Sequence, residues 1–450
     1  MRAAQHEVRM GGRNPVRAVV GGLRGDLSDP LFRNAYALVA NGAFTGLLGL
    51  AYWTLGAFLY DEDPGIVGRN WAAVQAIMFV GGVTMLNFLL IRFLPQTARN
   101  AKRLVLTCYG VGSAGAVLLG LGFLLVVPSR APVYERLDGW APGLAFLALA
   151  VAWNLFNQQE AVFTGLRRAA WVPVVNLVFG LVKLLLLVVL ALTLHPEDGV
   201  VLSWFIPVLV ALAPVNALIF RRLLPRHRED NYGRGERPTH RDILRYFGGG
   251  YLGGVFQYAS ISLIPVVVAS RLQDDAVNAY FQMAWALGIM LELLAITLSL
   301  SLTVEGAFDG SELAAHTRAA LRRTFMLMTP TVALVVVACP FALELLGHRY
   351  AEEGAPLLQL LAVAILPKAL IELYVGVLRV RSRTRMIAVL QGARFLGVLA
   401  LVPLLFDGAD LVTIGLVVLG VNVVIAAAVL PSLRRACVSP APVAVSTGGV

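Results

Sequence analysis

Six ionisable side chains fall inside long apolar stretches of this 450-residue sequence: Lys183, Lys368, Arg394, Glu160, Glu292 and Glu372. Lysine is otherwise almost unused, since of 37 basic residues only Lys102, Lys183 and Lys368 are lysines. A basic residue at the centre of a bilayer costs about 2.5–3.5 kcal/mol on insertion-based scales, so it is expected to face a protein interior or a wet cavity. Lys183 lies in "NLVFGLVKLLLLVVLA" (176–191), and Arg394 lies near the centre of a later apolar stretch. Two such cations at matching depths predict a cationic cavity that binds an anion, with Lys368 as a further candidate. The alternative for Lys183 and Arg394 is pairing with a membrane carboxylate such as Glu160 or Glu292. Lys368 has Glu372 four residues on, where helical side chains meet, so a local ion pair is its alternative. Glu292 is the most centrally placed acid. Either it carries a coupling proton or it is the counter-ion of Lys183 or Arg394.

Neutral polar residues gather near these charges. "WNLFNQQEAVFTG" (153–165) puts Asn157, Gln158, Gln159 and Glu160 where hydrocarbon cannot satisfy them, so at least one side of that helix lines protein or water. They read either as glue between helices or as contacts to a hydroxyl-rich solute, together with Gln257, Tyr258 and Gln282. The stretch "YFGGGYLGGVFQYAS" (246–260) spaces Gly249 from Gly253, and Gly250 from Gly254, by four, which predicts close helix packing or a bendable helix.

Other chemistries lack their residues. The six histidines fall in tails and connecting segments without metal-ligand spacing, and Cys108, Cys339 and Cys437 read as small apolar fillers. No metal, cofactor or catalytic residue is expected. "GVGSAG" (110–115) fits a dinucleotide fingerprint but sits in an apolar stretch with no strand before it. No lysine follows a glycine, so there is no nucleotide-binding P-loop, and transport would need an ion gradient, the membrane potential, substrate flow or a separate ATPase.

The elements that position these residues are set by composition. Hydrophobic residues make up 58% of the chain, charged residues 14%, and the mean hydropathy is +0.75. A soluble protein carries about a quarter charged residues, so this is an all-α polytopic membrane protein. Apolar spans of about 20 residues, the length that crosses ~30 Å of hydrocarbon, are expected at 34–58, 71–91, 104–127, 143–166, 171–194, 200–220, 246–270, 276–303, 324–345, 355–378, 386–406 and 411–430. With the N-terminus in the cytoplasm, 29 of the 37 basic residues fall inside, five outside and three within spans. That bias predicts an even number of spans and both termini cytoplasmic. The +10 net charge is then topology facing anionic lipid, and no soluble basic face offers itself to nucleic acid. The expected organisation is a basic N-terminal segment (1–33), six spans (34–220), a cytoplasmic linker (221–245), six spans (246–430) and a disordered tail (431–450). No cleaved signal is expected at the N-terminus. Shifting 376–394 back by 211 overlays 165–183, placing Gly376 on Gly165, Arg379 on Arg168 and Arg394 on Lys183. Two six-helix lobes around a central cavity follow, a common plan of secondary transporters.

Several stretches are similar to the polysaccharide (oligosaccharidyl-lipid) flippase family, part of the superfamily that includes multidrug extrusion proteins. The opening 34–75 ("NAYALVANGAFTGLLGLAYWTLGAFLYDEDPGIVGRNWAAVQ") resembles that family's first span and acidic loop. Residues 160–187 resemble its fourth-to-fifth connection, and "SLSLTVEGAFD" (299–309) resembles the end of its eighth span. The resemblance implies a non-enzymatic transporter of the cytoplasmic membrane that flips polyprenyl-pyrophosphate-linked oligosaccharide by alternating access. It implies membrane lipids and polysaccharide-assembly proteins as further partners. A cation-coupled multidrug antiporter is the alternative, and a membrane polysaccharide polymerase or ligase a further one.

Overall fold

The computed structural model describes residues 30–60, 63–97, 100–194, 197–230, 251–308, 313–381 and 383–438, with side chains from 44 onward except 230, 294, 297–308, 313 and 316. The described residues form helices and contain no strand. In chain order they are α1 (Pro30–Leu59), α2 (Pro64–Gln96), α3 (Ala101–Val126), α4 (Trp140–Gly165), α5 (Trp171–Thr193), α6 (Gly199–Glu229), α7 (Leu252–Ala269), α8 (Asp275–Phe308), α9 (Leu313–Glu344), α10 (His348–Val380), α11 (Thr384–Leu405) and α12 (Leu411–Ala436). Ten of them are long and apolar enough to cross a membrane, and Phe44–Leu59 of α1 is a shorter apolar helix.

The helix limits follow local chemistry. Asp63 caps α2 by accepting from the Gly65 N–H at 2.9 Å, with Pro64 at the first helical position, where a missing N–H is harmless. Asp410 caps α12 in the same way, accepting from the Val412 N–H at 2.9 Å. α6 passes through a π-turn at Ile219–Leu223 and continues as helix to Asp230, ten residues into the stretch expected as a linker. The polar sequence 221–230 stays helical because helix propensity does not require apolar residues; 231–245 lies outside the described residues. α12 likewise runs to Ala436, into the expected tail, with Leu433 and Ala436 packed against α10 residues Leu373 and Val377.

The packing repeats six helices apart. α1 lies on α5 as α7 lies on α11, α2 on α4 as α8 on α10, and α3 on α4 as α9 on α10. The pairs α4–α6 and α5–α6 recur as α10–α12 and α11–α12. Two lobes of one design result, with Lys183 on α5 and Arg394 on α11 at corresponding places. The outer faces of α5, α9, α11 and α12 leave Leu185, Leu334, Leu404 and Val424 more than half exposed, as suits lipid contact. α10 is surrounded instead: two-thirds of its apolar window is buried.

Between lobes, α2 packs against both α7 and α8. At one end of this seam Asn278 of α8 donates to the Gly68 carbonyl at 2.8 Å, and Arg69 pairs with Asp275 at 3.0 Å. Further along, the Tyr258 hydroxyl donates to the Met78 carbonyl at 2.8 Å, and the Phe88 and Tyr251 rings meet edge to face. The related pair on the other flank, α1 with α8, touches only lightly. Among the described residues the ties between lobes gather on the α2 flank.

Candidate functional site

The buried charges divide between the lobes, and among the described residues no cavity is lined by both Lys183 and Arg394. Lys183 is 4% exposed and its neighbours belong to the first lobe. Its ammonium lies 3.6 Å from the Trp204 ring centre, 4.5 Å from Tyr52 and 5.2 Å from Phe179. Phe179 precedes it by one turn on α5; Tyr52 and Trp204 come from α1 and α6. Tyr52 is held in place by donating to the Val200 carbonyl at 2.8 Å, with Ser203 Oγ at 2.6 Å. Stacked Trp53 and Trp71, 3.4 Å apart, and Trp153 back the cage. Among the described residues no carboxylate pairs with Lys183. Glu160, its expected alternative partner, instead accepts from Asn176 of α5 at 3.3 Å. Ring quadrupoles attract a cation, with about 2 kcal/mol for a desolvated contact, so the cage accounts for a buried ammonium without an acid.

The second lobe holds a charge cluster. Lys368 of α10 pairs with Glu292 of α8, and the Arg394 Nη2 on α11 lies 3.9 Å from the same carboxylate. Lys368 makes its close ion pair across helices with Glu292, while Glu372, one turn along α10, still acts on it electrostatically. α8 and α10 pack closely enough for the longer side chains to meet across the interface. Glu372 accepts from Gln391 of α11 at 3.0 Å and is fully buried. Pro367 sits just before Lys368 and removes one backbone donor from α10. A cavity of about 40 Å³ adjoins the cluster, lined by Glu292, Lys368 and Arg394 with Ser260, Trp285 and Asn422.

Most of the polar residues expected to contact a solute are committed to the scaffold. Gln158 donates to Asn154 Oδ1 at 2.6 Å, and Asn154 donates to the Gly81 carbonyl at 2.7 Å and to Thr84 Oγ1 at 3.1 Å. This chain of bonds serves the break in α2 at Thr84–Leu86, where helical carbonyls lose their usual donors. Asn157 donates back to the Trp153 carbonyl on its own helix at 2.8 Å. Tyr258 belongs to the seam between lobes, and Gln282 donates to Asn278 within that seam at 3.4 Å. A membrane helix must satisfy its polar groups internally, so these side chains had backbone partners to serve before any ligand. Gln257 is half-buried on α7. Gly253 and Gly254 allow close packing: a Cβ on either would press on Ile387 or Phe88. Gly249 and Gly250 lie outside the described residues.

Sequence reasoning missed Asn154, Asn278, Gln391, Asn422 and the rings around Lys183. Each Asn or Gln within an apolar span was a visible signal. The cage was not, because tryptophan and tyrosine in a membrane helix are unremarkable until three helices bring them over one ammonium.

No sequence family profile matches the chain, and no curated protein sequence does. Solved structures do match. The inward-facing conformation of a multidrug resistance MATE family transporter of the MOP superfamily aligns with TM-score 0.59 at 14% identity, over 87% of this chain and 94% of that one. A MATE protein in complex with MaD5 gives 0.55 at 14% identity, over 92% and 96%. An outward-facing conformation of a multidrug resistance MATE family transporter gives 0.50 at 13% identity, over 91% and 94%. At such identities the likeness is one of fold.

Proposed function

We propose that this chain is a secondary transporter that carries an amphiphilic solute through the membrane by opening its two lobes alternately. The observation that supports this most is the repeated helix packing: each lobe encloses its own charge, and the lobes meet through few polar ties. A proton or metal cation reaching Glu292 competes with Lys368 and Arg394 for that carboxylate, which links an ion gradient to the packing of α8, α10 and α11. With both termini in the cytoplasm, the Arg69–Asp275 seam closes the outer side. The higher fold similarity to an inward-facing than to an outward-facing transporter agrees with that state.

Ion-coupled extrusion of drug-like amphiphiles is the first reading, favoured by the fold. Flipping of polyprenyl-pyrophosphate-linked oligosaccharide is the second reading. It is favoured by Lys183, an ammonium without a carboxylate, which repels cationic drugs and suits an anionic headgroup.

One experiment separates them. Purified protein is reconstituted into proteoliposomes carrying a pH or sodium gradient and is given ethidium or a fluorescent pyrophosphate-linked polyprenyl glycan. Gradient-driven ethidium movement supports extrusion, and glycan movement supports flipping. Transport of neither under any gradient overturns the transporter reading.

A further inference from the structure

The cavity in the second lobe has the charge, size and unfilled donors of a binding site for a small anion. Three charged side chains line it, Lys368, Arg394 and Glu292, two cations to one acid, with the buried Glu372 acting on Lys368 from behind. Glu372 does not line it and is turned toward Gln391. Arg394 is 5% exposed, and its Nε and Nη2 donors lack a hydrogen-bond partner among the described residues. At 3.9 Å the Glu292 carboxylate is beyond hydrogen-bond reach of Nη2. Asn422, 2% exposed, also lines the cavity and brings an amide with donor N–H groups. Buried guanidinium donors without hydrogen-bond acceptors are costly, more so than neutral ones, and an acceptor placed in the adjoining cavity would satisfy them.

Size narrows the ligand. The cavity is small, about 40 Å³. A halide with a water or two fits, and a sugar or nucleotide does not. Trp285, Ile264, Leu361 and Val398 supply a largely apolar wall, which favours a weakly hydrated anion over phosphate.

We propose that this cavity binds chloride, held by Arg394 and Lys368 with Asn422 at its rim. The anion shares the two cations with Glu292, so it loosens the hold of α10 and α11 on α8. The site rests on the cavity alone and not on the identity of the transported solute.

The test uses full-length protein in nanodiscs, with thermal unfolding followed in sodium chloride, bromide, gluconate or phosphate at constant ionic strength. A ligand that binds the folded state alone raises stability with the logarithm of its concentration above Kd. Chloride and bromide are expected to raise Tm by several degrees, whereas gluconate and phosphate have no such effect. Arg394→Gln is expected to abolish the halide dependence. Glu292→Gln, which removes the competing carboxylate, is expected to tighten chloride at least tenfold. Asn422→Ala keeps every charge and is expected to weaken chloride several-fold, so it serves if Arg394→Gln does not fold. Equal Tm in chloride and gluconate overturns the proposal, as does a halide effect that survives both Arg394→Gln and Asn422→Ala. Phosphate acting as well as chloride overturns the halide assignment. Transport that proceeds without any halide effect defeats this inference alone, and halide binding without transport defeats the transporter reading alone.

Discussion

Arg69 and Asp275, 206 positions apart, join the two lobes through a 3.0 Å ion pair at the start of α2 and of α8. Asp63, the cap of α2, lies 3.8 Å from the same guanidinium, so Arg69 holds its own helix start and the partner lobe together. Both members of the pair are about a quarter exposed, which limits the pair to about 1 kcal/mol or less. Asp275→Asn is therefore expected to raise the open population at this end by about fivefold at most. Spin labels on α2 and α8, read by pulsed dipolar spectroscopy, check this. A distance distribution identical to wild type would reduce the pair to a surface contact.

Gly68 gives a sharper handle on the same seam. Its carbonyl accepts from Asn278, and a Cβ added there would overlap the backbone carbonyl of Asp275. A backbone atom cannot rotate away as a flexible side chain can. Gly68→Ala is thus expected to separate α2 from α8 more than loss of the ion pair does, with the longer spin-label distance dominant. Gly49, which has open space around it, is the control: Gly49→Ala leaves the distribution unchanged.

These contacts show what sequence could and could not supply. The spans and the doubling of the lobes were legible because lipid demands long apolar helices and a repeat leaves matching charges, as Lys183 and Arg394 do. Their neighbours were not legible. Lys368 has Glu372 one turn away, yet it pairs with Glu292, 76 positions earlier, because α8 and α10 are pressed together by their apolar faces. Local spacing cannot register such a contact. Asn157, Gln158 and Gln282 read equally as glue between helices or as solute contacts, since polarity in a membrane helix signals a partner without saying whether that partner is a ligand or a broken backbone. The α2 break at Thr84–Leu86, which Asn154 serves, follows the pair Gly81–Gly82, a signal the reading of the sequence did not use.

Asn154 should accordingly behave as a structural residue. Asn154→Leu leaves the Gly81 carbonyl without its 2.7 Å donor and Gln158 without its acceptor. One unsatisfied buried group costs about 1–3 kcal/mol. Thermal unfolding is expected to show a loss of that size, with substrate affinity unchanged in the surviving fraction. A folded, fully stable variant with lost affinity would instead place Asn154 at the solute.

Lys183 separates stability from recognition. Lys183→Met keeps the length of the side chain and its contact with Trp204, Tyr52 and Phe179 while removing the charge. The desolvation of an ammonium is then no longer needed, which offsets the lost cation–π attraction of about 2 kcal/mol. The variant is expected to be as stable as wild type or more so, whereas Lys183→Glu puts an anion against ring faces that repel it and unfolds the lobe. If Lys183 receives an anionic headgroup, Lys183→Met loses glycan movement at least tenfold and gains movement of cationic dyes. Unaltered transport of both would leave Lys183 a residue of packing alone.

Glu292 lies close to two cations, Lys368 and Arg394, and its removal is expected to be severe. Glu292→Gln leaves Lys368 and Arg394 facing each other in a buried site, and breaking a buried pair by deleting one partner costs about 3–5 kcal/mol. The double variant Glu292→Gln/Lys368→Met removes the stranded ammonium and is expected to regain most of that loss, because an apolar replacement of a buried pair is often neutral. Unfolding of the two variants in nanodiscs measures both quantities. The double variant also tests coupling: with the exchangeable carboxylate gone, solute can move down its own gradient but an imposed proton or sodium gradient no longer drives it. A double variant that remains gradient-driven would shift the coupling role to Glu372, the buried acid on the next turn of α10.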